Sequence, residues 1–554
     1  MSAFVAELVR GDDPVRATGI ANPREASWIT GDVRLDGCTE LRGALGAAGV
    51  ATTNGASDTE LVFAAWTAWR ETATERLIGD YSFALWDAAQ RTLFCARDAL
   101  GVRPFYWAEI GRTFVCSNVL NEVRAHPGVS SRLHEAAIVS FLQHGHNADT
   151  ATTSFADVRR LPPGHQLVVR DDSSAIVPRK YWSFPTPEPL RLTREDEYIE
   201  RFRDVLGDAV RDRLRTDRAA ILLSGGLDST SIAATARRVS PATQLNAWTN
   251  DPGASQPPDE NRLAAAVAER LGIAHEIVRI EPAPFMPPDA AGCQTPEPLD
   301  EPGWSEWLRQ VRRASARAPV LMIGEDGDAL FRPPGLLTML RAWPAGDLLR
   351  RVSSYTISHR HHPHLGLWLR RRLGAPFVPR ANGAPRWIRR GVLARANSPE
   401  SPPPERHATR PDAVRYLVDP IWQSVHEAAQ PAYTGVPLEI VWPLLDVRVV
   451  DFVFSIPPVP WCQHKELMRR AFRGELPDEV LSRKKAPLSG YFEEQVARWR
   501  AAWHSHPPAL GDEVREFVDT RSVADTLKTG SVEAVLAVRR AFVLDQWLRS
   551  TRGG

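Results

Sequence analysis

Residues 219–235, AAILLSGGLDSTSIAAT, pass from an apolar run through a bare Ser-Gly-Gly turn into a segment bearing an aspartate and a series of hydroxyls. No other stretch constrains the fold as strongly. A buried strand that feeds straight into a helix needs a crossover and a parallel neighbour. The downstream sequence supplies them: QLNAWTN, DENRLAAAVAERLG and HEIVRI alternate strand-like and helix-like patterns, which predicts a doubly wound parallel sheet. Ligands of such sheets sit beyond the carboxyl ends of the strands, where Ser224, Gly225 and Gly226 fall. Backbone N–H groups of the turn, the positive end of a helix beginning near Asp228, and the hydroxyls of Ser224 and Ser229 suit an anion. Asp228 would repel bare phosphate, so its place there argues for a divalent cation bridging it to phosphate oxygens. The other reading is a tight turn with a capping aspartate. The pattern is not the Walker loop, which requires a lysine after its last glycine.

A length of 554 residues predicts two or three domains. Residues 1–180 hold short β-like runs (TLFCARD, FVCSNV, HQLVVRD), and 59–77 reads as one amphipathic helix. Residues 181–196 carry three prolines and read as a linker, followed by a second domain over 197–554. Residues 332–436, dense in Arg and Pro, are expected to form helices joined by long loops, with 399–407 disordered. A net charge of +1 argues against nucleic acid or a membrane surface as partner. The five cysteines (38, 95, 116, 293 and 462) never form CxxC and fit reduced thiols rather than disulfides or zinc. No signal peptide or membrane-length apolar run is evident, so the expectation is a cytoplasmic protein. The histidines of 358–374 lack a defined ligand spacing and read as surface. Of 68 basic residues only five are lysines, and three of these lie between 465 and 485.

SGGLDS resembles the pyrophosphatase-type (PP-loop) motif of enzymes that adenylate a substrate, and the likeness extends to asparagine synthetases. Four collinear blocks carry it: 257–272, GEDGDALF (324–331) against G-E-G-A-D-E-L-F, 438–458, and HKELMRRAFRGELPDEVLSRKKAPLSG (464–490). The resemblance implies an adenine-nucleotide α-hydrolase-like α/β domain with a helical insert, using ATP and Mg2+. Leu222, Ser224, Gly225, Gly226, Asp228, Ser229, Trp248 and Gly324 would surround the nucleotide, and Asp228 and Asp328 would hold the metal. Lys485 would stabilise charge on the phosphates and the acyl transition state, with Lys465 a second phosphate contact. Glu325 and Glu439 align near the reacting amine, where a carboxylate of raised pKa could take its proton or a charge could orient it.

LIGDYSFALWDAAQRTLFCARDALGVRPFYW (77–107) resembles the class II glutaminase domain of the same synthetases, an Ntn-hydrolase-like α+β sandwich. That family's M-C-G-I start is MSAF here, with Ser2 in place of the nucleophilic cysteine, and its N-G-E-I-Y-N motif has become DVRLDG (32–37). These changes predict a degenerate glutaminase and an amine from another source. Two relatives use an amine within the substrate itself: β-lactam synthetases and lasso-peptide cyclases. DVRLDG, the block 458–490 and the Arg-rich insert resemble the second. That resemblance implies adenylation of an Asp or Glu side chain of a precursor peptide, closure of a macrolactam by the peptide's own N-terminal amine, and release of AMP and pyrophosphate. It also implies a leader peptidase and a leader-binding protein as pathway partners. The alternatives are a β-lactam or ammonia-dependent synthetase, and a non-catalytic scaffold, against which Asp228 and Asp328 both speak.

Overall fold

The computed structural model describes residues 3–10, 16–18, 21–24, 27–170, 176–251, 253, 259–281, 284–286, 295–360, 362–363, 384–396, 407–483, 491–503 and 509–552. The first half contributes strands β1 (Val5–Val9), β2 (Arg16–Ala17), β3 (Ala21–Arg24), β4 (Ser27–Asp36), β5 (Ile78–Asp87), β6 (Thr92–Arg97), β7 (Tyr106–Ile110), β8 (Thr113–Ser117), β9 (Arg159–Arg160), β10 (His165–Arg170) and β11 (Arg179–Lys180). They form two antiparallel sheets, ordered β2-β1-β8-β7-β9 and β11-β10-β6-β5-β4-β3. Phe4, Leu8, Trp86, Leu93, Trp107 and Phe114 fill the space between the sheets, and the helices Cys38–Ala47 and Asp58–Trp69 cover the outer face of the larger one. This is the expected sandwich.

The helix expected over 59–77 stops early. Ser57 and Glu60 form a capping box at its start, but the α-helix ends at Trp69 and a 3-10 segment, Arg70–Arg76, follows. The apolar period runs out in RETATER, where only Ala73 and Thr74 are buried, and Arg70 turns into the left-handed region (φ 54) beside Asp87.

The second half is built on a parallel sheet of β12 (Arg218–Leu222), β13 (Gln244–Asp251), β14 (Ala274–Arg279), β15 (Val320–Met322) and β16 (Glu439–Val441), in the order β14-β13-β12-β15-β16. Chain order therefore reverses between β12 and β15, and the crevice at their carboxyl ends is the topological switch point. The helix Leu227–Val239 begins where the sequence pattern places it, and the helix Glu195–Arg213 precedes β12. The segment read as a linker is tied down: Phe184 stacks on Phe454, and the Leu190 N–H donates to the Ser455 carbonyl. The insert contains the helices Leu336–Ala342, Ala345–His359 and Arg390–Ala396. Residues 399–406, and 361 and 364–374 of the histidine-bearing stretch, lie outside the described residues. Among the described residues no helix is long and apolar enough to cross a membrane.

Candidate active site

The loop after β12 and the loop after β15 meet at the switch point, and glycine makes the meeting possible. A Cβ on Gly324 would lie 2.5 Å from the Ser229 backbone nitrogen, and one on Gly327 would lie 2.5 Å from the Asp228 carboxyl carbon. A side chain at 324 would have to move the first turn of the helix Leu227–Val239, whereas one at 327 would displace only the end of the Asp228 side chain. The Ser224 hydroxyl lies 2.9 Å from that of Ser229, the Ser224 N–H donates to Ser229 Oγ (3.0 Å), and the Gly226 N–H donates to Ser224 Oγ (3.1 Å). Two of the turn's amides are thus spent on holding its own shape, where the sequence suggested amides aimed at a ligand.

Asp228 and Asp328 converge on one point, and that point is Lys465 Nζ. The ammonium donates to Asp228 Oδ1 at 2.8 Å and Oδ2 at 2.6 Å, and it pairs with Asp328 Oδ1 at 2.5 Å. Both carboxylates thus reach one cation, and the pair is a donor set that could hold a divalent ion. Lys465 was expected on phosphate; it lies instead between the two candidate metal ligands. Lys484 and Lys485 fall outside the described residues, as does Ser2.

Glu325 follows Gly324 and reaches solvent, yet enough protein surrounds it that desolvation, reinforced by the charge of Glu301, raises its carboxyl above the ordinary range. Asp326 was not singled out by the sequence reading. It is 7% exposed, has left-handed backbone (φ 73), and neither carboxyl oxygen has a hydrogen-bond partner among the described residues. Burial first, then the charges of Glu325 and Asp228, push its pKa well up. An acidic residue where the related motif has glycine was the available signal.

Three other expected site residues are directed elsewhere. Trp248 is fully buried in the core; its carbonyl accepts from the Leu223 N–H (2.9 Å) and so supports the loop from behind, while its ring faces the interior. Leu222 packs against the same core at the strand end. Glu439 opens β16 in register with Val320, the first residue of β15, and so lies at the amino edge of the sheet, opposite the Ser224 loop. There it accepts from Arg103 Nη2 (2.7 Å) and pairs with Arg34 Nε (3.3 Å) of the first domain. This corrects the expectation that Glu439 stands near the reacting amine.

Arg34 and Arg103 belong to a buried ionic layer between the domains. Arg34 is also held by Asp36 and Asp80, Arg103 faces Asp32 at 3.7 Å, and Arg213 joins Asp446 (2.6 Å) to Asp36 (3.2 Å). Strand alternation puts Asp32, Arg34 and Asp36, three residues of DVRLDG, on one face of β4. Burial, opposed by Arg213 and Arg34, leaves Asp36 pushed up to about 6; Asp80 is equally buried, but Arg34 and Arg213 outweigh that and hold it low.

Residues 201–549 match the model of the asparagine synthase family, and residues 30–182 match that of a glutamine amidotransferase domain. Asparagine synthetase [glutamine-hydrolyzing] 3 of Bacillus subtilis is 23% identical over 510 residues, which cover 85% of this chain and 77% of that protein. A putative asparagine synthetase of Mycobacterium bovis is 31% identical over 287 residues, 50% of this chain and 42% of its own. Among solved structures, a glutamine phosphoribosylpyrophosphate amidotransferase from B. subtilis shares 12% identity over 47% of this chain and 72% of its own, with a TM-score of 0.22. A pyrophosphatase-type loop at the switch point, faced by two convergent carboxylates, and a family match over most of the second half agree: the chain belongs to the asparagine synthase family of ATP-dependent, AMP-forming carbon–nitrogen ligases.

Proposed function

We propose that the chain is a lasso-type macrolactam synthetase, which adenylates an Asp or Glu side chain of a precursor peptide and couples it to the peptide's own N-terminal amine. The observation that carries this reading is the fate of DVRLDG. The strand face where the related glutaminases carry their substrate-side N-G-E-I-Y-N motif bears Asp32, Arg34 and Asp36, held in ion pairs of which two reach Glu439 and Arg213 of the synthetase domain. Emptying that face would strand several charges away from water, so glutamine is a poor candidate for the source of nitrogen. An amine carried by the substrate itself removes the need for one.

Asp228 and Asp328 fit a magnesium ion by their convergence on a single cation. When bound with ATP, the ion would offset charge on the phosphates and on the departing pyrophosphate. Ser224, Gly225, Gly226 and Ser229 form the cradle for those phosphates at the start of the helix Leu227–Val239. Glu325, with its raised pKa, is suited to take the proton that the attacking amine loses. Holding amine and acyl adenylate together in one folded peptide supplies proximity. A leader peptidase and a leader-binding protein are the expected partners, and the cytoplasm the expected location.

The test is to supply ATP, magnesium and linear peptides with a free N-terminal amine and an acidic residue several positions along. The expected products are AMP, pyrophosphate and a peptide lighter by one water. Glutamate released from glutamine in step with product, or asparagine made from ammonium, would place the chain with the ordinary synthetases instead.

A further inference from the structure

We infer that Lys465 is a tethered placeholder for the metal, keeping the Asp228–Asp328 pair closed to divalent cations until a nucleotide arrives. The inference rests on the reading of these aspartates as the magnesium pair, but not on the identity of the peptide. Three distances of 2.5–2.8 Å put the ammonium at the point both carboxylates share. The lysine and Asp228 side chains are 15% and 17% exposed, so little solvent screens their contact, whereas Asp328 is 51% exposed and can swing away.

The backbone favours this placement. His464 and Lys465 both have left-handed φ values, 48 and 58, which non-glycine residues seldom adopt, so the surrounding fold must hold the lysine here. Its successor Glu466 is fixed by Arg470 (2.7 Å) and faces His359 of the insert at 3.8 Å. A cation carried on the chain competes at high effective concentration with any ion from solution. Mg2+ or Mn2+ alone would have to expel it without offering the ammonium another partner. With a metal–nucleotide complex the exchange differs: Asp228 and Asp328 would hold the metal while Lys465 would pair with phosphate oxygens. The metal is then admitted only together with nucleotide, and the two aspartates are never left facing one another without a cation.

The experiment measures Mn2+ binding to the full chain by electron paramagnetic resonance, with and without a non-hydrolysable ATP analogue. Wild type should bind Mn2+ strongly only with the analogue. Lys465→Met should bind it without nucleotide, tighter than wild type by about tenfold, a modest share of the repulsion expected from a unit charge at contact distance. Lys465→Arg should behave like wild type. Thermal unfolding supplies a second readout: Mg2+ alone should raise the melting temperature of Lys465→Met and not that of wild type. Lys465→Gln, which retains a hydrogen-bonding group, stands in should the methionine variant fail to fold. Equal nucleotide-free binding by wild type and variant would overturn the placeholder while sparing the metal site. Failure of wild type to bind Mn2+ even with the analogue would overturn the metal site and the placeholder together.

Discussion

At the scale of single residues, the site depends on a glycine as much as on its charges. Gly324 passes so close to the first turn of the helix Leu227–Val239 that a Cβ there would lie 2.5 Å from the Ser229 backbone nitrogen. Gly324→Ala should therefore displace the first turn of that helix and reduce adenylation by about two orders of magnitude, the cost of misplacing one preorganised group. Circular dichroism should remain that of wild type, and pyrophosphate exchange measures the loss; full activity would mean the loop has slack that the contact denies. Asp228 and Asp328 were legible because each sits in a short motif with fixed spacing. The resemblance brought Lys465 to the site as a phosphate contact, but its seat between the two carboxylates was not legible, because sequence spacing cannot show where its ammonium ends. Asp326 left a signal, an acidic residue where the related motif has glycine, but its character comes from burial beside Glu325 and Asp228, which no motif records.

Elements were more legible than their edges. Strand–helix alternation after residue 218 yielded the parallel sheet, because that topology follows from short connections and right-handed crossovers. What it could not yield was the end of a strand on which a motif begins. β16 is only three residues long, so Glu439 at its start and the site at the other end of the sheet look adjacent in sequence terms but face opposite ways. The correction has a measurable consequence. Glu439→Gln should lower stability by about 1–3 kcal/mol, the range for weakening a charge-assisted hydrogen bond, and leave ATP affinity unchanged. Arg103→Ala, which leaves Asp32 and Glu439 without that cation, should cost on the order of 3 kcal/mol or more. Urea unfolding and nucleotide titration of both variants check this, and a selective loss of nucleotide binding in Glu439→Gln would return the residue to the active site.

At the scale of the whole molecule, the halves are joined by buried polar contacts that neither half explains alone. Arg160 is gripped by Glu427 (2.7 Å) and faces Glu297 (3.4 Å), Arg97 donates to Gln423 (3.3 Å), and the Arg34–Arg103–Arg213 layer lies alongside. Within this interface His426 is 1% exposed and edge-on to Trp442. Burial, with the nearby charge of Arg97, lowers its pKa from 6.5 to about 4. The unfolded chain therefore binds this proton before the folded one does, and stability contributed by the neutral ring is present above pH 6.5 and lost as pH falls toward about 4. Asp36 runs the other way: raised to about 6, it favours the folded state at low pH and loses that contribution as pH rises from 3.8 through about 6. The stability curve of the wild type mixes both signs, so the informative quantity is its difference from His426→Met, in which Asp36 is retained. That difference should decline by about 3 kcal/mol between pH 6.5 and 4, as the shift of roughly two and a half units requires. Urea unfolding across that range measures it, and a flat difference would mean that water or a proton acceptor reaches the ring and that the interface is looser around His426 than its burial implies.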